Sequence, residues 1–142
     1  MKAVYLGLDL GTSSVKVAAV DETGELLAWA NAPYPTGTPK PGWAEQNPAD
    51  WAHASMTALR DVVTRLPDDA ETRALAVTGQ LPTLAVLDPS GKALRPAIVW
   101  YDGRAETEAE ELLAAVDLAD WYRRTGVVLD AHYLAPMYAW VA

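Results

Sequence analysis

Residues Val4 to Leu26 read VYLGLDLGTSSVKVAAVDETGEL, two apolar runs split by the polar stretch DLGTSS and closed by DETGE. Nothing else in the chain constrains the fold as strongly. Ala3–Leu8 is nearly all apolar, the pattern of a central strand covered on both faces. Ser14–Ala18 alternates, with Ser14, Lys16 and Ala18 on one face and Val15 and Val17 on the other. Asp21–Glu25 has turn chemistry, and Gly24 is free to take positive φ. Leu26–Tyr34 reads as a third strand, so the first 34 residues predict a three-stranded antiparallel meander.

An ordinary two-residue turn would join the first two strands, so DLGTSS needs a reason of its own. Gly11 permits a tight turn in which successive backbone N–H groups face one concavity suited to an anion. Thr12, Ser13 and Ser14 add hydroxyl donors. Lys16 shares a strand face with Ser14 and can offset phosphate charge. Asp9, at the tip of the first strand, is placed to hold Mg²⁺ directly or through water. The chain has neither a GxxxxGK[ST] spacing nor a GxGxxG, so a phosphate here would sit on a turn between antiparallel strands. The competing reading is a polar turn whose Thr and Ser merely cap their own backbone.

Beyond the meander, Pro33–Pro48 holds five of the ten prolines and predicts irregular structure. NPAD then opens a helix, with Asn47 as N-cap, Pro48 at the first helical position and Asp50 at the positive end. Trp51, Leu59, Val62, Val63 and Leu66 form its apolar stripe, and Pro67 stops it. Arg73–Thr78 predicts a strand, Leu84–Trp100 a hairpin around DPSG, and DGRAETEAEELLAAV a helix with acidic residues at its favourable end. Leu118–Arg124 is a short helix closed by Gly126. His132–Ala142 reads as an apolar helix with no C-cap glycine and no basic last turn, so the chain is expected to be cut short inside a larger domain.

The 142 residues are enough for one core, and Asp plus Glu outnumber Lys plus Arg by 19 to 11. A net charge of −8 argues against nucleic acid or an anionic membrane as partner, though not against a small anion. With no cysteine, disulfides and thiolate chemistry are excluded, and two distant histidines suggest no zinc site. Asp9 interrupts the short apolar N-terminal run, which is neither a signal peptide nor a span; a cytoplasmic location is the expectation.

KPGWAEQNP (Lys40–Pro48) and AIVWYDGRA (Ala97–Ala105) join GLDLGTSSVK and GQ in an order that resembles the FGGY carbohydrate kinases, which include xylulokinases and glycerol kinases. The resemblance continues through RTGVVLDAHY (Arg124–Tyr133) and matches only the start of such a kinase. It implies an α/β, actin-like ATPase (ribonuclease H-like) fold with a mixed sheet. Residues 1–142 would be the first part of the sugar-binding lobe. The rest of that lobe, the catalytic aspartate and the nucleotide-binding lobe would lie outside them.

It also implies transfer of the ATP γ-phosphoryl group to a sugar hydroxyl, with ATP and Mg²⁺ as cofactors and a ketose such as xylulose as acceptor. This fragment alone would be inactive. Asp9 resembles the family's metal- and phosphate-organising aspartate, and Gly11, Thr12, Ser13 and Ser14 its ATP-phosphate turn. Lys16 stands where glycerol kinases place an arginine. Gln80, Leu81 and Pro82 occupy the substrate-contacting turn, where xylulokinases read Met-His and glycerol kinases Arg-Glu in place of Leu81-Pro82. Trp100, Asp102 and Arg104 match a Trp-x-Asp-x-Arg segment suited to a sugar, Trp100 by its flat face and the other two by paired hydroxyl contacts. His132 aligns with an aromatic substrate contact.

Each of these has a plainer role beside it. Trp100 can be core, Asp102 the N-cap of the helix after it, Arg104 an i,i+4 partner of Glu108, and His132 a packing residue. A non-catalytic nucleotide- or sugar-binding module remains the alternative to a kinase, and another actin-fold ATPase a third reading. Self-association is expected through apolar surface around the last helix.

Overall fold

The computed structural model describes every residue, Met1–Ala142, as two compact units. The first comprises Met1–Pro35 and Pro48–Gln80; the second comprises Thr36–Asn47 and Leu81–Ala142.

The first unit is a mixed sheet with one helix on one face. Its strands are β1 (Lys2–Leu10), β2 (Ser14–Asp21), β3 (Leu26–Pro33) and, after the helix, β5 (Ala70–Gly79), in the order β3-β2-β1-β5. β1 pairs antiparallel with β2, β2 with β3, and β1 runs parallel to β5. The meander and the mixed sheet are therefore as the sequence predicts. Helix α1 (Pro48–Val63) begins at the proline, with Asp50 in its first turn and Arg60 in its last, both favourable to the dipole. Ala54, Ala58 and Val62, spaced i, i+4, i+8, bury one face of α1 in a core with Val4, Leu6, Leu8, Val15, Val17 and the alanines of β3. Trp51, Leu59 and Leu66 pack at the edge of this core, while Val63 is half exposed and leaves the predicted stripe.

β1 departs from expectation. Only Val4, Leu6 and Leu8 are buried; Tyr5 and Gly7 are exposed on the opposite face, so one side of the strand is covered rather than two. Glycine at 7 and alanines opposite it at 18 and 76 hide the difference in the sequence, because an apolar run reads alike whether its second face is covered or bare.

The β2–β3 turn is held by the Asp21 carboxylate. It accepts from the Thr23 N–H at 2.9 Å, the Thr23 hydroxyl at 2.7 Å and the Glu25 N–H at 3.0 Å, and pairs with Lys2 at 3.0 Å. The Thr23 hydroxyl and Lys2 contacts lead a set that outweighs burial and holds this carboxyl well below the usual carboxylate range. Gly24 takes φ +85°, as the turn requires.

The second unit has two-residue strands β4 (Glu45–Gln46) and β6 (Ala97–Ile98), paired antiparallel, and helices α2 (Glu106–Ala115), α3 (Leu118–Thr125) and α4 (Leu134–Val141). The hairpin predicted over Leu84–Trp100 forms through isolated bridges, Leu84 to Ile98 and Leu87 to Ala93, rather than two continuous strands. Asp117 caps α3 through the Ala119 and Asp120 amides, and Gly126 closes it. α4 packs on α2 and buries Pro136 and Met137. No helix is long and apolar enough to cross a membrane.

Candidate functional site

In the first unit the register of β1 and β2 sets Asp9 opposite Lys16, and their charged groups stand 4.0 Å apart. Both side chains are about half exposed, so the carboxylate is not turned into the core. On the other side Asp9 neighbours Thr78 of β5. Asp9, Lys16 and Thr78 line one end of a cleft of about 530 Å³ over the uncovered sheet face, floored by Gly7, Ala18 and Ala76 and flanked by Trp29.

The turn between the strands begins beside that pair. The Gly11 N–H donates to the Ser14 carbonyl at 3.1 Å. Gly11 does not have positive φ; the need for glycine is one of space. A Cβ there would meet the Ser14 oxygen at 3.2 Å and come within 3.7 Å of both the Asp9 carboxylate and the Lys16 ammonium. Ser13 is exposed, Thr12 half buried and Ser14 buried. Asp9, Gly11, Thr12, Ser13, Ser14 and Lys16 lie together in one hairpin, but the Gly11 N–H, expected to face an anion, is spent on the Ser14 carbonyl. No group of three or more acidic or histidine side chains could hold a metal by protein ligands alone. A Mg²⁺ carried in by phosphates needs only one or two carboxylates, and Asp9 fits that role.

Gln80 ends the first unit, its N–H donating to the Leu10 carbonyl at 2.8 Å. In the second unit, Pro82, Trp100 and His132 meet around a cleft of about 310 Å³, with Tyr101, Asp130 and Tyr133. Trp100 and Tyr101 pack edge to face with ring centres 5.1 Å apart, and Trp100 is 42% exposed, so it is not core. His132 is tied to Asp130 through its N–H at 2.7 Å and its ring Nδ1 at 3.2 Å. Leu81, 81% exposed, does not line this cleft.

Asp102 and Arg104 depart from their expected role as hydroxyl-binding groups. Neither side chain reaches solvent. Arg104 grips Asp102 through Nε at 2.8 Å and Nη2 at 2.7 Å, and reaches Glu45 with Nη1 at 2.6 Å. Asp102 also accepts from the Arg104 N–H and from the Ala44 N–H. The guanidinium lies 3.8 Å from the Trp43 ring centre and 5.0 Å from that of Trp140. Burial alone pushes the Asp102 carboxyl up; the Arg104 fork and the two amides outweigh it and hold it below the usual carboxylate range. Neither plainer role survives either. The residue before α2 is Ala105, without a side-chain cap, and Arg104 pairs with Glu45 rather than Glu108.

Reasoning from sequence missed Tyr34, Glu45 and Trp140. Tyr34 was legible only as a strand end between two prolines. Glu45 lies inside WAEQ, a stretch whose order was informative but whose partner was not visible.

Residues 4–142 match the family model described as the N-terminal domain of the FGGY family of carbohydrate kinases. The xylulose kinase of Escherichia coli K12 is 36% identical over 141 residues, which take in 97% of this chain and 28% of that protein. The structure of xylulose kinase from Rhodospirillum rubrum superposes with a TM-score of 0.93 at 34% identity, over 97% of this chain and 28% of that one. Plasmodium falciparum glycerol kinase with ADP superposes with a TM-score of 0.90 at 27% identity, over 99% and 28% respectively. The chain thus spans about 28% of the length of the relatives it matches.

Proposed function

The chain belongs to the FGGY family of carbohydrate kinases, and from that premise we propose that it forms the first part of the sugar-binding lobe of an ATP-dependent sugar kinase. A single observation carries the phosphate side of this reading: Asp9 and Lys16, 4.0 Å apart, flank the Gly11–Ser14 turn with their charged ends exposed. The reaction is attack of a sugar hydroxyl oxygen on the γ-phosphorus. The new O–P bond forms as the bond to the β–γ bridging oxygen breaks, ADP leaves with that electron pair, and the hydroxyl proton passes to a base. Mg²⁺ held at Asp9 would neutralise the charge on the phosphate oxygens. Thr12 and Ser13 offer hydroxyl donors, and Lys16 offsets negative charge on the phosphates. Pro82, Trp100 and His132, around the second-unit cleft, are the proposed sugar contacts, and Gln80, in the first unit, is proposed separately from its place in the family's substrate turn. Asp102 and Arg104 act as framework for the loop that carries Trp100.

A ketose such as xylulose is the favoured acceptor. Its support is the xylulose kinase relatives; the Leu81-Pro82 pair matches neither the Met-His of xylulokinases nor the Arg-Glu of glycerol kinases, and counts most against glycerol. The catalytic base and the adenine-binding lobe lie outside these residues, and the working protein is cytoplasmic. The test is an ADP-release assay over a panel of ketoses, polyols and sugar acids, beside calorimetric titration with a Mg·ATP analogue. The 142-residue chain is expected to bind the nucleotide weakly and release no ADP. Turnover at ordinary kinase rates refutes the external base; absence of nucleotide binding refutes the phosphate-turn reading.

A further inference from the structure

A backbone turn that accepts an anion must keep its carbonyl oxygens away from it, since these repel negative charge as strongly as the N–H groups attract it. Around the β1–β2 turn four carbonyls are held in this way. The Leu10 carbonyl accepts from Gln80 N–H at 2.8 Å, and the Ser14 carbonyl from Gly11 N–H at 3.1 Å. Of the three between them, those of Gly11 and Ser13 are both held by one residue. The Tyr34 hydroxyl donates to the Gly11 carbonyl, and the Tyr34 N–H donates to the Ser13 carbonyl at 3.2 Å.

The register of β3 on β2, with Pro33 opposite Ser14, delivers Tyr34 to this place, where it is 8% exposed. We propose that Tyr34 is a positioning residue that latches the Gly11–Ser14 turn in its anion-accepting form by occupying the carbonyl oxygens a phosphate would otherwise meet. The proposal rests on the phosphate-binding reading of that turn.

Packing alone would be served by phenylalanine. A buried hydroxyl is unfavourable unless bonded, and its bond here goes to the carbonyl of Gly11, whose Cβ position lies 3.7 Å from both the Asp9 carboxylate and the Lys16 ammonium. Burial and the negative charge of Asp9 both push the phenol's pKa up, which keeps it a protonated donor at neutral pH.

The experiment titrates the 142-residue chain with Mg·tripolyphosphate by calorimetry, for the natural sequence, Tyr34→Phe and Tyr34→Leu, with urea unfolding of each. Losing one neutral hydrogen bond predicts roughly fivefold weaker binding for Tyr34→Phe. Tyr34→Leu should bind about as weakly as Tyr34→Phe, although it lowers the urea midpoint further by removing the ring. Amide signals of Gly11, Thr12 and Ser13 should shift in ligand-free Tyr34→Phe while those of α1 stay in place. A purely structural tyrosine gives the opposite split: unchanged binding in Tyr34→Phe, and weakening in Tyr34→Leu that tracks its loss of stability. That pattern overturns the latch alone. If the natural sequence itself fails to bind tripolyphosphate, the phosphate reading of the turn falls and takes the latch with it.

Discussion

Replacing Arg104 by alanine strips the buried Asp102 carboxylate of its fork, leaves Glu45 with only the longer Arg95 contact at 3.3 Å, and removes the cation lying against the rings of Trp43 and Trp140. Removing one partner of a buried ion pair costs about 3–5 kcal/mol, because the remaining charge is left without compensation. The two indole faces add about 1 kcal/mol. Partial relief comes from Asp102 itself. Without the Arg104 fork, burial is opposed only by the Ala44 and residue-104 amides, so the Asp102 pKa rises from its depressed value and the group takes up a proton more readily.

The expected loss at pH 7 is thus about 4 kcal/mol, a large share of a domain's ~5–15 kcal/mol. It should also depend on pH with a definite sign. In the natural protein the depressed Asp102 pKa contributes stability above the unfolded value near ~4 that fades as pH falls. In Arg104→Ala that contribution is smaller, because the fork that supplied much of the depression is gone. The gap between the two proteins therefore narrows as pH falls below that value. Urea unfolding followed by tryptophan fluorescence measures it, since Trp43 and Trp140 flank the lost group. Adding Asp102→Asn to Arg104→Ala should cost less than the two single losses summed, by about 0.5–3 kcal/mol. A gap under 1 kcal/mol, or one independent of pH, would mean that the Asp102–Arg104 pair does not organise the second unit.

Three further outcomes follow from the geometry. Gly11→Ala sets a Cβ 3.2 Å from the Ser14 oxygen, so urea unfolding should report about 1–3 kcal/mol less stability, and Mg·tripolyphosphate affinity should fall with it. The Asp21 carboxyl, held low by Thr23 and Lys2, contributes stability present above the ordinary carboxylate pKa and lost as pH falls below it. Asp21→Asn should flatten that acid limb in thermal unfolding, and an unchanged limb would assign it to other carboxylates. The open sheet face exposes Tyr5 and Trp29, and α4 exposes Leu134 and Tyr138, so the isolated chain should self-associate in sedimentation velocity; a monomer at every concentration refutes this.

What could be read from the sequence was whatever depends on near neighbours. The alternation of Ser14–Ala18 set the faces of β2, DETGE marked the turn that Asp21 closes, and NPAD marked the start of α1. The β1–β2 turn was legible for the same reason: Asp9, Gly11 and Lys16 are adjacent in a hairpin whose register follows from its length. The uncovered face of β1 was not, because the residues that decide it, Trp29 and Ala76, belong to other strands. Tyr34 was hidden likewise: its partner Gly11 lies 23 positions away and offers only a backbone oxygen, which no side-chain pattern announces.

The second unit makes the limit more specific. WYDGR looks, from its polar residues, like a piece of a sugar pocket, while WAEQ reads only as part of the irregular Pro33–Pro48 stretch. In the fold they are halves of one buried knot. Glu45 and Trp43 come from the first, Asp102 and Arg104 from the second, and the backbone bonds of Val99 to Ala44 at 3.0 Å and Gly103 to Gly42 at 2.9 Å hold them side by side. Residue types that suit hydroxyl recognition suit mutual satisfaction equally well, since a carboxylate and a guanidinium complete each other's hydrogen bonding. A resemblance carried by these two stretches therefore speaks to the fold of the lobe and says little about its acceptor. On the kinase reading proposed above, discrimination among sugars is to be sought in side chains the knot leaves outside. Those are Pro82, Trp100 and His132 around the second-unit cleft, where a bare aromatic face and a histidine oriented by Asp130 meet.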